Sequence, residues 1–113
     1  MAVSQDLVDY VLDQLRGLGN VRPKRMFGGV GIYAGERFFA LISDDTLYFK
    51  AGTENREQFL QRDCKPFQPF ADKPQYSMSY YSIPVDVLED AEELLRWARR
   101  SVAIASPQKK RRS

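Results

Sequence analysis

Four β-like runs crowd the stretch from Arg22 to Lys50, and the turns between them hold only two or three residues. Connections that short join antiparallel neighbours, because a parallel pair needs a crossover of a dozen residues or more. The runs are Arg22 to Phe27, Val30 to Tyr33, Arg37 to Ser43 and Thr46 to Lys50, with Ala34-Gly35-Glu36 and Asp44-Asp45 as hairpin turns. Pro23 puts the first run at a sheet edge or a strand start, since proline cannot donate to a ladder. In the third run a strict alternation sets Phe39 and Leu41 on one side and Phe38, Ala40 and Ile42 on the other. Both sets are apolar, which predicts a central strand covered on both faces.

Helical spacing brackets this block. Upstream, Ser4 is a candidate N-cap, Asp6 falls in the first turn, and Leu7, Val8, Val11, Leu12, Leu15 and Leu18 form one apolar stripe. Arg16 in the last turn suits the helix dipole, and Gly17 and Gly19 offer stops. Downstream, a short helix is predicted from Glu54 to Arg62, capped by Thr53 or Asn55 and anchored by Phe59 and Leu60. The proline-rich segment Cys64 to Pro74 reads as an edge strand or packed loop. Gln75 to Ile83 reads as another strand, with Tyr76, Met78 and Tyr80 on one face and Ser77, Ser79 and Tyr81 on the other.

Pro84 ends that strand, and a turn from Val85 to Glu89 leads to a last helix opened by the capping box Asp90-Ala91-Glu92-Glu93. Its stripe is Ala91, Leu94, Leu95, Ala98, Val102 and Ala105. Trp97 sits just off the stripe, so it is expected half-buried against the sheet. The order is one helix, three or four strands, a helix, one or two strands, a helix. Without βαβ alternation it predicts an α+β fold, a central antiparallel sheet of five to six strands with flanking helices. Residues 1–106 are expected to form a single domain and 107–113 a disordered basic tail.

Charge and composition narrow the function. The net charge of the 113 residues is +2, yet Lys109, Lys110, Arg111 and Arg112 carry four positive charges, so the rest of the chain is at −2. The mild basicity belongs to the tail. With one cysteine and no histidine, a disulfide framework, a Cys/His zinc site and histidine-based catalysis all lack their residues. No apolar run approaches the roughly 18 residues of a membrane span, and the N-terminus has no signal-peptide form. A soluble cytoplasmic domain with no membrane association is expected.

The run Arg25-Met26-Phe27-Gly28-Gly29-Val30-Gly31 is the most distinctive. Gly29, Gly31 and Ala34 fit G-x-G-x-x-[G/A], but that motif needs a helix N-terminus after the glycines, and a strand continues here. The RNP1-like order of Arg25 to Gly28 fails at Met26, Gly29 and Ile32, and too few elements precede it. A β-bulge or tight bend, where glycine admits another backbone, accounts for it best. Phe67, Phe70, Tyr76, Tyr80 and Tyr81 lack the interleaved cations of a base-stacking platform, so packing is their expected role. Cys64 as a nucleophile would need Arg62 and Lys65 to lower its pKa; a small buried hydrophobe is the plainer reading. Asp86, Glu89, Asp90, Glu92 and Glu93 lack calcium-loop spacing and read as capping and a solvated face.

Four motifs in order then stand out: Arg25-Met26-Phe27-Gly28-Gly29-x-Gly31-x-Tyr33, Leu47-Tyr48-Phe49-Lys50 before a helix with Asn55, Met78-Ser79-Tyr80-Tyr81-x-Ile83-Pro84, and Leu94-x-x-Trp97-Ala98. Together they resemble the TfoX N-terminal domain family, named for a bacterial competence regulator, over about residues 5–105. The resemblance implies an α+β domain with a central antiparallel sheet, and no catalytic, cofactor or metal residues. It marks Arg25, Met26, Phe27, Gly28, Gly29, Gly31, Tyr80, Tyr81 and Trp97 as candidate motif and interaction residues. Full-length regulators of the family carry a second domain, so this chain is expected to be a stand-alone N-terminal domain. In the family, activation of competence genes is associated with the cyclic-AMP receptor protein.

The expected function is therefore a non-enzymatic bacterial interaction domain, a transcription or competence co-regulator acting through protein contacts, as monomer or homodimer. Two alternatives stand beside it. One is weak nucleic-acid binding by Lys109, Lys110, Arg111 and Arg112. The other is a small-molecule or enzymatic pocket beside Gly28-Gly29.

Overall fold

Left-handed backbone at two turns sets the strand register. Gly35 (φ 61°) occupies the first, and Asp44 and Asp45 (φ 54° and 58°) the second. Two successive positive φ values follow the right-handed twist of the flanking strands, and aspartate tolerates them better than most residues. The computed structural model describes residues 4–26, 29–68 and 78–105. The sequence features at Phe27, Gly28, Phe70, Tyr76 and Lys109 to Arg112, and the side chains of Met26 and Met78, lie outside the described residues.

The meander consists of β1 (Val21–Met26), β2 (Gly29–Ala34), β3 (Arg37–Ser43) and β4 (Thr46–Lys50). Two later strands, β5 (Pro66–Phe67) and β6 (Met78–Ser82), extend it, giving one antiparallel sheet in the order β1-β2-β3-β4-β6-β5. Four α-helices among the described residues complete an α+β fold: α1 (Gln5–Gln14), α2 (Arg56–Leu60), α3 (Val85–Leu88) and α4 (Ala91–Ile104).

The alternation expected in β3 is broken. Ile32 pairs with Ala40 but Tyr33 pairs with Phe38, so Phe39 is an extra residue, a β-bulge. The bulge turns Phe39 toward the same face as Ala40 and Ile42, where it packs 5.7 Å from Phe49, ring centre to ring centre. Phe38 goes to the other face beside Tyr33 and Tyr80. The glycine run itself carries no register shift among the described residues, but Gly29 meets the close backbone approach expected there, from Ile42 of β3.

One face of the sheet carries the core. Val30, Ile32, Phe39, Ala40, Ile42, Leu47 and Phe49 meet Val8, Val11 and Leu15 from α1 and its end, Phe59 from α2, Val87 from α3, and Leu94, Trp97 and Ala98 from α4. Helix α1 starts at Ser4, whose Oγ accepts the Leu7 N–H at 3.2 Å. It stops at Gln14 and tightens into a 3-10 turn, Arg16–Leu18, rather than running on through Leu18. The turn expected after Pro84 is the one-turn helix α3. Asp90 caps α4 as its sequence predicts, accepting the Glu93 N–H at 3.2 Å. At the other end of α4, Arg37 Nη1 donates to the carbonyls of Val102 (3.1 Å) and Ala105 (2.7 Å), satisfying acceptors that a helix terminus leaves free.

Three corrections concern side chains. Trp97 is 6% exposed rather than half-buried, because it joins the core cluster with the Phe59 ring edge-on against it. Leu60 is 47% exposed and anchors nothing. Asn55 precedes α2 without capping it; its side chain turns inward instead.

Buried Asn55 accepts from the Gly52 N–H at 2.7 Å and donates to the Lys50 carbonyl at 3.1 Å. The same carbonyl accepts from buried Ser101 Oγ of α4 at 2.8 Å. The end of β4 is thus tied to both α2 and α4. Asn55→Ala should destabilise the fold by about 1–3 kcal/mol, since it strands a backbone donor. Ser101→Ala should cost less, because Lys50 keeps Asn55. Urea midpoints of the two variants test this ranking, and a larger loss for Ser101→Ala would reverse it.

Candidate interaction surface

The motif residues divide between packing and surface. Tyr81 lies on the helix-covered face, stacked on Phe59 at 5.6 Å, and Phe59 meets Trp97 edge-on at 5.2 Å. The indole Nε1 of Trp97 donates to Glu93 at 3.0 Å. Tyr80 points the opposite way, as strand pleating requires. It is 4% exposed, and its hydroxyl donates to the Phe38 carbonyl at 3.0 Å. Burial, reinforced by nearby Tyr33, holds its phenol well above the ordinary tyrosine range.

Tyr80 belongs to a ladder that crosses the face free of helices among the described residues, the helix-free face. Arg22 lies over the Tyr33 ring at 4.9 Å, Tyr33 stacks on Phe38 at 5.2 Å, Phe38 meets Tyr80 at 5.4 Å, and Lys50 Nζ lies 5.3 Å from the Tyr80 ring. A cation closes each end of this row of three rings, but the rings are turned into one another and Tyr33 is only 7% exposed. A base cannot stack on a ring whose faces are already covered. The aromatic group read from the sequence is split accordingly, with Tyr81 on one face and Tyr80 and Phe67 on the other; Phe67 packs edge-on against Tyr48 at 5.1 Å.

Gly29 and Gly31 serve β2. A Cβ on Gly29 would sit 2.4 Å from the Ile42 carbonyl oxygen, so this position admits no side chain without moving β3. Gly31, also buried, pairs with Lys24 on one side and Leu41 on the other.

Strand β1 is different. Among the described residues it pairs with β2 alone and forms one end of the sheet, and Arg22, Pro23, Lys24 and Arg25 are all exposed. Pairing with Tyr33 and Gly31 puts Arg22 and Lys24 on the helix-free face, while Arg25, opposite Val30, lies on the helix side. There its Nη2 donates to Gln5 Oε1 at 3.4 Å. Gln5, Val8, Pro23, Lys24, Arg25 and Val30 line a shallow cleft of about 90 Å³. Sequence reasoning singled out Arg25 but missed Arg22 and Lys24. Their signal was three cations around a proline on a strand already read as an edge.

The other candidates are bound up in the fold. Burial pushes the Cys64 thiol up, and Arg62 only partly opposes it, contrary to the activation a nucleophile needs. Arg62 instead grips Asp86 through both carboxylate oxygens, at 2.7 and 2.8 Å, and holds that carboxyl below its usual range. Glu93 is likewise lowered by hydrogen bonds from Arg96 and Trp97. Among the described residues no three His, Cys, Asp or Glu side chains gather as a metal site, and no helix is long and apolar enough to cross a membrane.

These features define an α+β domain whose described helices pack on one side of its sheet. Residues 13–105 match the family model of the TfoX N-terminal domain, and the chain belongs to that family. Over 92 residues it is 25% identical to the DNA transformation protein TfoX1 of Aliivibrio fischeri strain ES114, covering 75% of this chain and 44% of that protein. The chain thus spans less than half the length of the curated relative it matches.

Proposed function

We propose that this chain is a non-enzymatic contact domain that serves the regulation of DNA transformation in the bacterial cytoplasm by engaging a protein partner. The observation that carries the reading is the exposed cationic strand β1, left at the sheet edge while Tyr80 and Trp97 are buried and Tyr81 is packed against the core. The name of the A. fischeri relative supports the biological setting. The burial-raised thiol of Cys64 and the engaged carboxylates of Asp86 and Glu93 support contact over catalysis.

Deleting the gene in its host should lower the transformation frequency with marked DNA, and both the wild-type chain and Cys64→Ala should restore it. An unchanged frequency on deletion would overturn the role in transformation. Affinity capture after nuclease treatment separates the two contact chemistries. A partner that survives supports protein contact, whereas one lost with the nucleic acid favours binding through Lys109, Lys110, Arg111 and Arg112.

A further inference from the structure

Resting on the contact-domain reading, we propose that the open edge of β1 receives an extended acidic segment of a protein partner as a seventh strand. The sheet ends in two edges of unequal use. Among the described residues, β5 contributes Pro66 and Phe67 at one end, while β1 offers six residues at the other. A terminal strand presents unpaired main-chain groups that can template another strand.

Pro23 fixes which groups these are. Proline is accommodated on an edge strand with its nitrogen facing solvent. The period of two then turns the main-chain N–H and C=O groups of Val21 and Arg25 outward as well. Only one donor is therefore missing from the open edge.

Charge selects the occupant. Arg22, Lys24 and Arg25 straddle the edge on both faces, and none of the three ion pairs among the described residues involves β1. Charges and proline on an edge discourage indiscriminate strand pairing. They also leave an attractive exception for a strand bearing carboxylates. A second copy of β1 is disfavoured, because pairing would set these cations against each other, and like charges directly opposite destabilise. On the helix side, the cleft beside Arg25 gives one acidic side chain a recess, with a guanidinium suited to two-point carboxylate contact.

The test uses the full chain, isotope-labelled for NMR, and short peptide probes. One peptide alternates Val and Glu, and a second alternates Val and Lys. A third is the Val-Glu peptide N-methylated at alternate positions, which keeps its charge but removes ladder donors. The Val-Glu peptide should shift the β1 amide signals and slow hydrogen exchange at Val21 and Arg25. Lys24→Glu with Arg25→Glu should weaken it at least about tenfold, and the other two peptides should fail to bind. Lys24→Gln with Arg25→Gln, which adds no repulsion, should weaken it less, and a dispersed spectrum verifies each variant's fold.

Equal binding of the N-methylated peptide, or indifference to both double variants, would overturn the proposal. So would an oligothymidylate strand that occupies β1 more tightly than the Val-Glu peptide, which would mark a nucleic-acid surface. Parallel capture from the host distinguishes the two levels. A partner retained by the Lys24→Glu, Arg25→Glu chain overturns the edge site and leaves the contact domain standing. No partner with either chain overturns the contact domain itself.

Discussion

Replacing Phe59 by alanine should lower the free energy of unfolding by about 3–5 kcal/mol, a large part of the roughly 5–15 kcal/mol of a typical domain. Phe59 is fully buried and is the one buried residue of α2. A helix of five residues has no stability of its own, since so short a segment never recovers the entropy of its first turn. Its docking therefore depends on this ring and on the Asn55 bonds to Lys50 and Gly52. Removing the ring also takes a wall from Trp97 and a stacking partner from Tyr81. Urea unfolding followed by Trp97 emission measures the loss. Leu60→Ala, one residue on, should stay within about 0.5 kcal/mol of the parent. Similar losses at both positions would mean that α2 is not held by Phe59.

Gly29→Val should be comparably damaging through the opposite defect, too much matter rather than too little. The nearest atom to a new Cβ is the Ile42 carbonyl oxygen, and β2 and β3 are locked in register there by the pairing of Val30 with Ile42. A backbone oxygen cannot rotate aside as a side chain does. Overpacking usually costs about 1–3 kcal/mol; Gly29→Ala should fall in that range and Gly29→Val should exceed it. Thermal unfolding gives the ranking, and hydrogen exchange in β2 and β3 localises it. A neutral Gly29→Ala would show that the strands have room to part, and that the glycine serves something other than the sheet.

The meander was legible because its punctuation is strong. Gly35 and the Asp44-Asp45 pair occupy backbone conformations that few residues accept, so β3 and β4 were bounded correctly from sequence. The bulge at Phe39 was not legible. Phe38 to Ile42 are all apolar, and a run that is hydrophobic at every position carries no trace of a skipped residue. The burial of Trp97 is hidden for a related reason: the Phe59 ring against it is remote in sequence. Asn55 looked like a cap because its side chain suits one, and only the convergence of β4 and α4 makes it a buried tie. Of the cationic edge only Arg25 lies within the glycine motif; Arg22 and Lys24 join it through the pairing of β1 with β2.

The ladder on the helix-free face changes how surface substitutions must be interpreted. Arg22 and Lys50 act there as roofing, their long stems and charged heads closing over the rings of Tyr33 and Tyr80. An alanine scan of solvent-facing charges would register both as sensitive positions and invite their assignment to a binding site. Their loss would instead open an aromatic layer to water. Lys24, with neither ring beneath it, is the cleaner reporter of what β1 recognises.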